Sequence, residues 1–182
     1  MLNAGGNQIK SLKPLSTCQT LQAIIANDNL LDSIAGLGPL EALNTLVLSK
    51  NKLEHLDEDA LGLSPSERQI AKLNTRVLKS LRSLTKLSLS YNNIHVLPKA
   101  LKNCQLLQEL RLPHNRIQVL PDDVFVVLGR LKILDLSHNR IHRWKDVEVT
   151  RSWCAALVSL SVYIFKKART PENVGGKLLT CW

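Results

Sequence analysis

The side chains in this sequence that could do chemistry together are a serine, an aspartate and two histidines from two similar stretches. Asp135, Ser137 and His138 lie in DLSHN, and His114 has the matching place in RLPHN. Serine, histidine and aspartate are the residue types of a nucleophilic triad, and two histidines with a carboxylate are ligand types for zinc. We predict neither activity, because the sequence shows no pocket for an oxyanion and no further well-placed ligand.

The glycine pairs give no sign of nucleotide chemistry either. Gly5 and Gly6 near the start, and Gly175 and Gly176 near the end, lack the lysine-serine or lysine-threonine pair of a phosphate-binding loop. We therefore expect a protein that is not an enzyme, with no catalytic residue, no cofactor and no bound metal.

DLSHN and RLPHN are parts of one pattern, L-x-x-L-x-L-x-x-N-x-L, that recurs along most of the chain. This pattern is a specific signature of leucine-rich repeats. After a partial copy at Leu2, copies begin at Leu21, Leu43, Leu84, Leu107 and Leu131. The repeated asparagine marks the register at Asn7, Asn29, Asn51, Asn92, Asn115 and Asn139.

Each copy predicts one short strand, because the two leucines of L-x-L point to one side and the residue between them points to the other. Successive strands should stack as a parallel sheet on the concave face of a solenoid, with the returning segments packed behind it. The asparagine should satisfy backbone groups at the turn after each strand. The predicted fold over residues 1–149 is an α/β repeat, a leucine-rich-repeat solenoid with a concave parallel β-sheet and a helical insertion.

The helical insertion is predicted where the spacing of the asparagines breaks. One interval is 41 residues long, against 22 to 24 for the others, so one repeat is lengthened at about residues 57–82. Ser64, Pro65 and Glu67 spell a capping box with proline at the first helical position. Apolar residues at helical spacing then extend the helix to about Leu81.

The predicted helix carries positive charge on one side. Only Glu67 opposes its cations, which follow one another at steps of four, four and three residues: Arg68, Lys72, Arg76 and Lys79. This basic ridge is either the solvated face of a helix on the convex side or a docking element for an acidic partner or a membrane surface. Both interpretations stay open.

Residues 150–182 do not complete another repeat. LVSLSV from Leu157 offers one more strand, yet Phe165 stands where the asparagine belongs. The segment is therefore either an atypical cap over the end of the core or a tail foreign to the repeat. With Pro171 and two glycines, residues 169–182 are expected to be loose.

Composition limits the class of partner and the compartment. The net charge of +9 and the pI near 9.6 favour acidic partners, while the aromatic content of 4%, without a basic-aromatic stripe, disfavours direct nucleic-acid binding. The first twenty residues show no secretory signal, and the four scattered cysteines form no extracellular disulfide framework. We expect a soluble monomer with reduced thiols, in the cytoplasm or the nucleus.

The copies described above, over about residues 2–149, resemble known intracellular leucine-rich-repeat proteins. Repeats of 22 residues are similar to those of the regulatory subunit of protein phosphatase 1, the axonemal dynein light chain and the spliceosomal U2 A-prime protein. LPKALKNC and LPDDVF look more like the plant and Ras-scaffold type. The resemblance implies binding without catalysis, with a phosphatase, a cytoskeletal motor or a signalling component as the protein partner.

We predict a non-catalytic scaffold or regulatory subunit that binds a partner protein on the concave face. Two predicted contacts are apolar at positions that should face water, and two others are hot-spot types. The contact residues point out between the inward leucines: Ile25, Val47, Lys50, Lys86, Tyr91, Arg111, His114, Asp135 and His138. The alternative is a basic module that docks on RNA or an anionic membrane through the helix 65–81.

Overall fold

The fold is a stack of short strands with returning segments behind them, seen in a computed structural model that describes residues 1–56, 65–142, 159–164 and 177–181. The strands are β1 (Leu2–Asn3), β2 (Ala23–Ile25), β3 (Thr45–Val47), β4 (Lys86–Ser88), β5 (Glu109–Arg111), β6 (Ile133–Leu136), β7 (Ser159–Ile164) and β8 (Lys177–Cys181). They form one sheet in chain order. The pairs from β1 to β7 are parallel, so the predicted leucine-rich-repeat solenoid is confirmed.

The core lies directly behind the sheet, and each strand from β2 to β6 contributes at least one buried inward side chain to it. Ile24, Leu46, Leu87, Leu110 and Leu134 face each other in register and are fully buried. Apolar residues of the returning segments pack against them, as the repeat pattern predicts: Leu56, Leu97, Leu101, Leu120 and Val124. Since each strand is only two to six residues long, the sheet depends on this stacking of neighbours rather than on any single strand.

The returning segments contain the helices. They are two 3₁₀ helices, Lys13–Thr17 and Lys99–Asn103, and two α-helices, α1 (Pro65–Ser80) and α2 (Asp122–Phe125). The second 3₁₀ helix packs between α1 and α2. In the described part of the chain, no helix is long and apolar enough to cross a membrane.

Helix α1 is the predicted insertion helix, and a buried asparagine ties it to the repeats. Asn74 Oδ1 accepts hydrogen bonds from the Ile34 amide at 2.9 Å and the Ser33 hydroxyl at 2.8 Å. Its Nδ2 donates to the His55 carbonyl at 2.8 Å. Through these hydrogen bonds the insertion is part of the solenoid's packing. Removing Asn74 would leave buried backbone groups without partners.

The repeated asparagines form a ladder that joins each repeat to the one before it. In a representative case, Asn92 Nδ2 donates to the Leu48 carbonyl and its Oδ1 accepts from the Leu53 amide, both at 3.0 Å. The same two bonds recur at Asn29, Asn51, Asn115 and Asn139. The predicted structural role of the asparagines is confirmed.

The sheet ends in an antiparallel pair of strands that the repeat pattern did not predict. Strand β7 continues the parallel stack and pairs with β8, Leu160 opposite Cys181 and Ile164 opposite Lys177. The predicted extra strand is therefore present, and Lys177–Cys181 is a strand where loose chain was expected. The predicted capping residue Ser64, together with Phe165 and residues 169–176, lies outside the described residues.

Candidate partner-binding surface

The concave face carries two parallel rows of outward side chains, aligned by the strand register. One row is Ala23, Thr45, Lys86, Glu109, Ile133 and Ser159. The other row is Ile25, Val47, Ser88, Arg111, Asp135 and Ser161. Five of the predicted contact residues lie in these rows, which we call the strand rows, and they form one continuous surface.

The first part of this surface is apolar. Ile25 and Val47 are neighbours in register on β2 and β3, and both are only partly buried. Beside them, the hydroxyls of Ser49 and Ser88 lie 3.1 Å apart and share a hydrogen bond. An apolar pair with hydroxyls at its border can bury area and make hydrogen bonds with the same partner.

The next part of the surface is charged, but its charges are paired. Glu109 contacts the two predicted contact residues of the strand rows that are cations: its carboxylate is 3.1 Å from Lys86 Nζ and hydrogen-bonds Arg111 Nε. Partial burial raises the pKa of Glu109, but the hydrogen bonds and positive charges of Lys86 and Arg111 outweigh this effect and hold the pKa below its ordinary value. Lys86 and Arg111 are thus fixed by Glu109 instead of extending freely toward a partner.

Asp135 and Ser137, the other half of the catalytic-looking cluster, are engaged with each other. The Ser137 hydroxyl donates to Asp135 Oδ1 at 2.7 Å, and the Ser137 amide donates to the same oxygen at 3.0 Å. A serine nucleophile must donate its proton to a histidine base. Here the single hydroxyl proton of Ser137 is directed to Asp135, so the arrangement is that of a local turn rather than a triad.

The remaining four predicted contacts lie beyond the strands, at the turn that precedes each ladder asparagine. This is a correction to their placement between inward leucines. All the residues at this position have φ of 54 to 55°: Asp28, Lys50, Tyr91, His114 and His138. Such left-handed backbone is uncommon for residues other than glycine, although asparagine, aspartate and histidine adopt it more readily than the rest.

Three rings stack at these turns. The ring centroids of Tyr91 and His114 are 4.1 Å apart with an interplanar angle of 10°, and those of His114 and His138 are 4.1 Å apart at 8°. Tyr91 is 51% exposed. We call these three residues the ring column. It stands at one edge of the concave face, next to the strand rows.

The two histidines of the ring column were also the candidate metal ligands. Desolvation and the charge of His138 lower the pKa of His114, and the charge of Asp135 opposes them. Among the described residues, no group of three or more histidine, cysteine, aspartate or glutamate side chains is arranged to hold a metal ion. The stacked geometry also places each imidazole face against its neighbour.

The basic ridge is partly described. Arg76 and Lys79 are exposed, whereas the side chains of Arg68 and Lys72 lie outside the described residues. Beside the last turn of α1 there is an open pocket of about 540 Å³, lined by Glu41, Arg76, Lys79, Ser80, Arg82 and Ser83. Arg82, which follows the helix, was missed because the helical spacing of cations ends at Lys79.

The sequence itself matches a family model on the second part of the solenoid. The model described as leucine rich repeat covers residues 65–117 and 105–148. No curated protein sequence matches the chain significantly. The repeat spelling, the fold and the family match together show a leucine-rich-repeat solenoid, while its assignment to the class with 22-residue repeats stays a prediction.

Solved structures of other proteins share the fold. Internalin C2 of Listeria monocytogenes has a TM-score of 0.61 and 18% identity over 87% of this chain and 68% of its own. PEPR1-AtPEP1 has a TM-score of 0.59 and 22% identity over 83% of this chain and 19% of its own. A leucine-rich-repeat protein of Leptospira interrogans has a TM-score of 0.52 and 26% identity, over 84% and 40%. The chain thus spans less than half the length of the last two.

Proposed function

We propose that this protein is a non-catalytic scaffold or regulatory subunit that binds a partner protein across the concave face, as an intracellular monomer. Leucine-rich repeats are a general protein-interaction module, and one structural neighbour, PEPR1, was solved together with AtPEP1. The free thiols of Cys18 and Cys104 support the intracellular part of the proposal.

The observation that carries the proposal is the continuity of the strand rows. From β2 to β6 the outward side chains pass from an apolar pair, Ile25 and Val47, through the Glu109 ion pairs to Asp135 without a break in register. An extended, open surface with an apolar part beside a polar part resembles a protein interface more than a concave small-molecule site. The hydroxyl of Ser137, held by Asp135, argues against nucleophilic catalysis on the same face.

The experiment is affinity capture from cell extract with two charge-matched double variants. Val47→Glu with Arg111→Glu changes the concave face, and Val126→Glu with Arg130→Glu makes the same change of charge on an exposed returning segment. We expect a stoichiometric protein that is captured by the wild type and the second variant and lost from the first. Equal capture by both variants would contradict the proposal.

The second candidate function is docking on RNA or an anionic membrane through α1. The pocket at the end of α1 supports it, because Arg76, Lys79 and Arg82 meet there with only Glu41 as an acid in its lining. However, cations beside the last turn of a helix also complement the negative end of its dipole. Replacing Arg76, Lys79 and Arg82 by Gln separates the two candidates, because only docking on RNA or lipid predicts a loss of salt-sensitive binding.

A further inference from the structure

The edge of the concave face differs in charge from the strand rows. In the four turns around Asn51, Asn92, Asn115 and Asn139, the residues just before and just after the asparagine include no acid. The residues just before the asparagines are Lys50 and the ring column. The residues just after them are Lys52, Asn93, Arg116 and Arg140. Four cations, two histidines and a tyrosine thus share one edge.

The cations of this edge are not neutralised by the protein. Lys52, Arg116 and Arg140 are exposed, and within the described part of the chain none of them forms a salt bridge. Lys86 and Arg111, on the strand rows nearby, are both paired with Glu109. Unpaired cations at matched positions of successive turns make a line of positive charge that a flexible anion can follow.

The ring column is the second feature of this edge, beside the cations. Tyr91, His114 and His138 all have φ near 54°, a conformation that glycine or asparagine would adopt at lower cost. The same φ recurs at Asp28 and Lys50, so this backbone belongs to the repeat position, and the feature particular to the edge is that three successive turns carry rings that stack. The rings and the cations flank the same ladder asparagines in the sequence, so they belong to the same turns.

The geometry also distinguishes among anionic partners. Nucleic-acid bases bind proteins largely by stacking on open aromatic faces. In the ring column the neighbouring faces are only 4.1 Å apart, so no base fits between them, and only the outer faces of the two end rings are left for a base. The exposed guanidinium groups of Arg116 and Arg140 are donors, which suit the carboxylates of a protein chain.

We propose that this edge, formed by Tyr91, His114, His138, Lys52, Arg116 and Arg140, binds an acidic segment of the partner protein. The inference rests on the proposed function, because the edge borders the strand rows and extends the same surface. The strand rows bind the folded or apolar part of the partner, and the edge holds a run of Asp and Glu residues.

The test is fluorescence anisotropy of the full chain with a labelled decaglutamate peptide at low salt, with oligothymidine as the second probe. Arg116→Gln with Arg140→Gln is the edge variant, and Arg130→Gln with Lys132→Gln, exposed residues just before β6, is the matched control. We expect the edge variant to bind decaglutamate about tenfold more weakly and the control to stay within about twofold. His114→Asn with His138→Asn, which suits the left-handed backbone, should also weaken binding.

Three outcomes overturn the inference: no decaglutamate binding by the wild type, equal losses in the edge and control variants, or oligothymidine bound more tightly and lost in the edge variant. The last outcome identifies a nucleic-acid edge instead. The capture experiment separates this inference from the proposed function. A partner lost from the concave variant, combined with unchanged peptide binding in the edge variant, overturns the edge alone; edge-dependent peptide binding without a captured protein overturns only the proposed function.

Discussion

The strand rows and the neighbouring edge present charge in opposite ways. On the strand rows, Glu109 holds Lys86 and Arg111 in place, and the backbone is regular. At the edge, Arg116 and Arg140 form no salt bridge within the described residues, and the rings stand on left-handed backbone. One repeat pattern thus builds both a surface whose charges are paired and a surface whose charges are not, depending on which repeat position carries the charge.

The ladder asparagine supports both surfaces, and its removal should have the largest effect. Asn115→Ala leaves the Leu89 carbonyl and the Ile94 amide without their buried partner. We expect a loss of about 2–4 kcal/mol in the free energy of unfolding, measured by urea denaturation. Asn93→Ala, at a position outside the ladder, is the control and should change it by less than about 0.5 kcal/mol. Equal losses of unfolding free energy in the two variants would show that the asparagine ladder does not hold the edge beside the strand rows.

The strain at the edge gives the next effect. Tyr91→Ala and Tyr91→Gly both remove the ring, but only glycine adopts φ near 54° freely. The glycine variant should therefore be more stable than the alanine variant by roughly 1 kcal/mol, in urea denaturation. At Ser88, on the regular strand β4, glycine should be the less stable of the two. If the glycine and alanine variants had the same order of stability at both positions, this would contradict the backbone difference between the two surfaces.

The two surfaces would become alike if the concave cations lost their acid. Glu109→Gln frees Lys86 and Arg111, and we expect decaglutamate to bind about two- to fivefold more tightly in an anisotropy titration, since two cations become available. Asp123→Asn is the matched control, because it raises the net charge equally but acts on an exposed acid of a returning segment. Equal gains in the two variants, or none in either, would mean that the ion pairs do not limit the strand rows.

Glu109 also makes a prediction about pH. Because its pKa in the folded protein lies below its ordinary value of about 4.5, its ionised form stabilises the fold above that pH, and this contribution is lost as the pH falls through the folded pKa. Wild-type stability should thus drop more than that of Glu109→Gln between about pH 6 and pH 3. Parallel pH profiles of the two proteins would contradict the pairing.

The smallest effect concerns His114. Its pKa is lowered, so the folded protein binds this proton less readily than the unfolded chain does, and stability should fall slightly as the pH drops below about 6.5. Relative to His114→Asn, the wild type should lose a little stability between about pH 7.5 and pH 5.5, as measured by thermal unfolding. A wild type that gains stability on acidification would contradict a lowered pKa of His114.

Much of the fold follows from local rules. The repeat spelling places the strands, the asparagines and the core leucines, and the proline at position 65 marks the start of α1. Long-range side-chain geometry does not follow from it. The bonds from Asn74 to Ser33 and Ile34 join segments some 40 residues apart, so no local pattern shows them.

The sequence predicts a set of exposed positions for the partner-binding surface. It does not predict their division into the strand rows and the edge. The alternation that places Lys86 and Arg111 on the outward side says nothing about the partner of each charge. Glu109, which pairs with Lys86 and Arg111, was passed over because it is one more outward residue in the sequence. Its alignment with Lys86 is a matter of register, and cross-strand pairs of opposite charge would have been the signal to look for.

The measurement that tests the central claim most directly is photo-crosslinking in cell extract with benzoylphenylalanine at single positions. The three sites are Val47 on the strand rows, Tyr91 on the edge, and Val126 on a returning segment, where it is 51% exposed. The account predicts one partner protein crosslinked from positions 47 and 91 and not from position 126. A protein crosslinked from position 126 alone would contradict binding on the concave face.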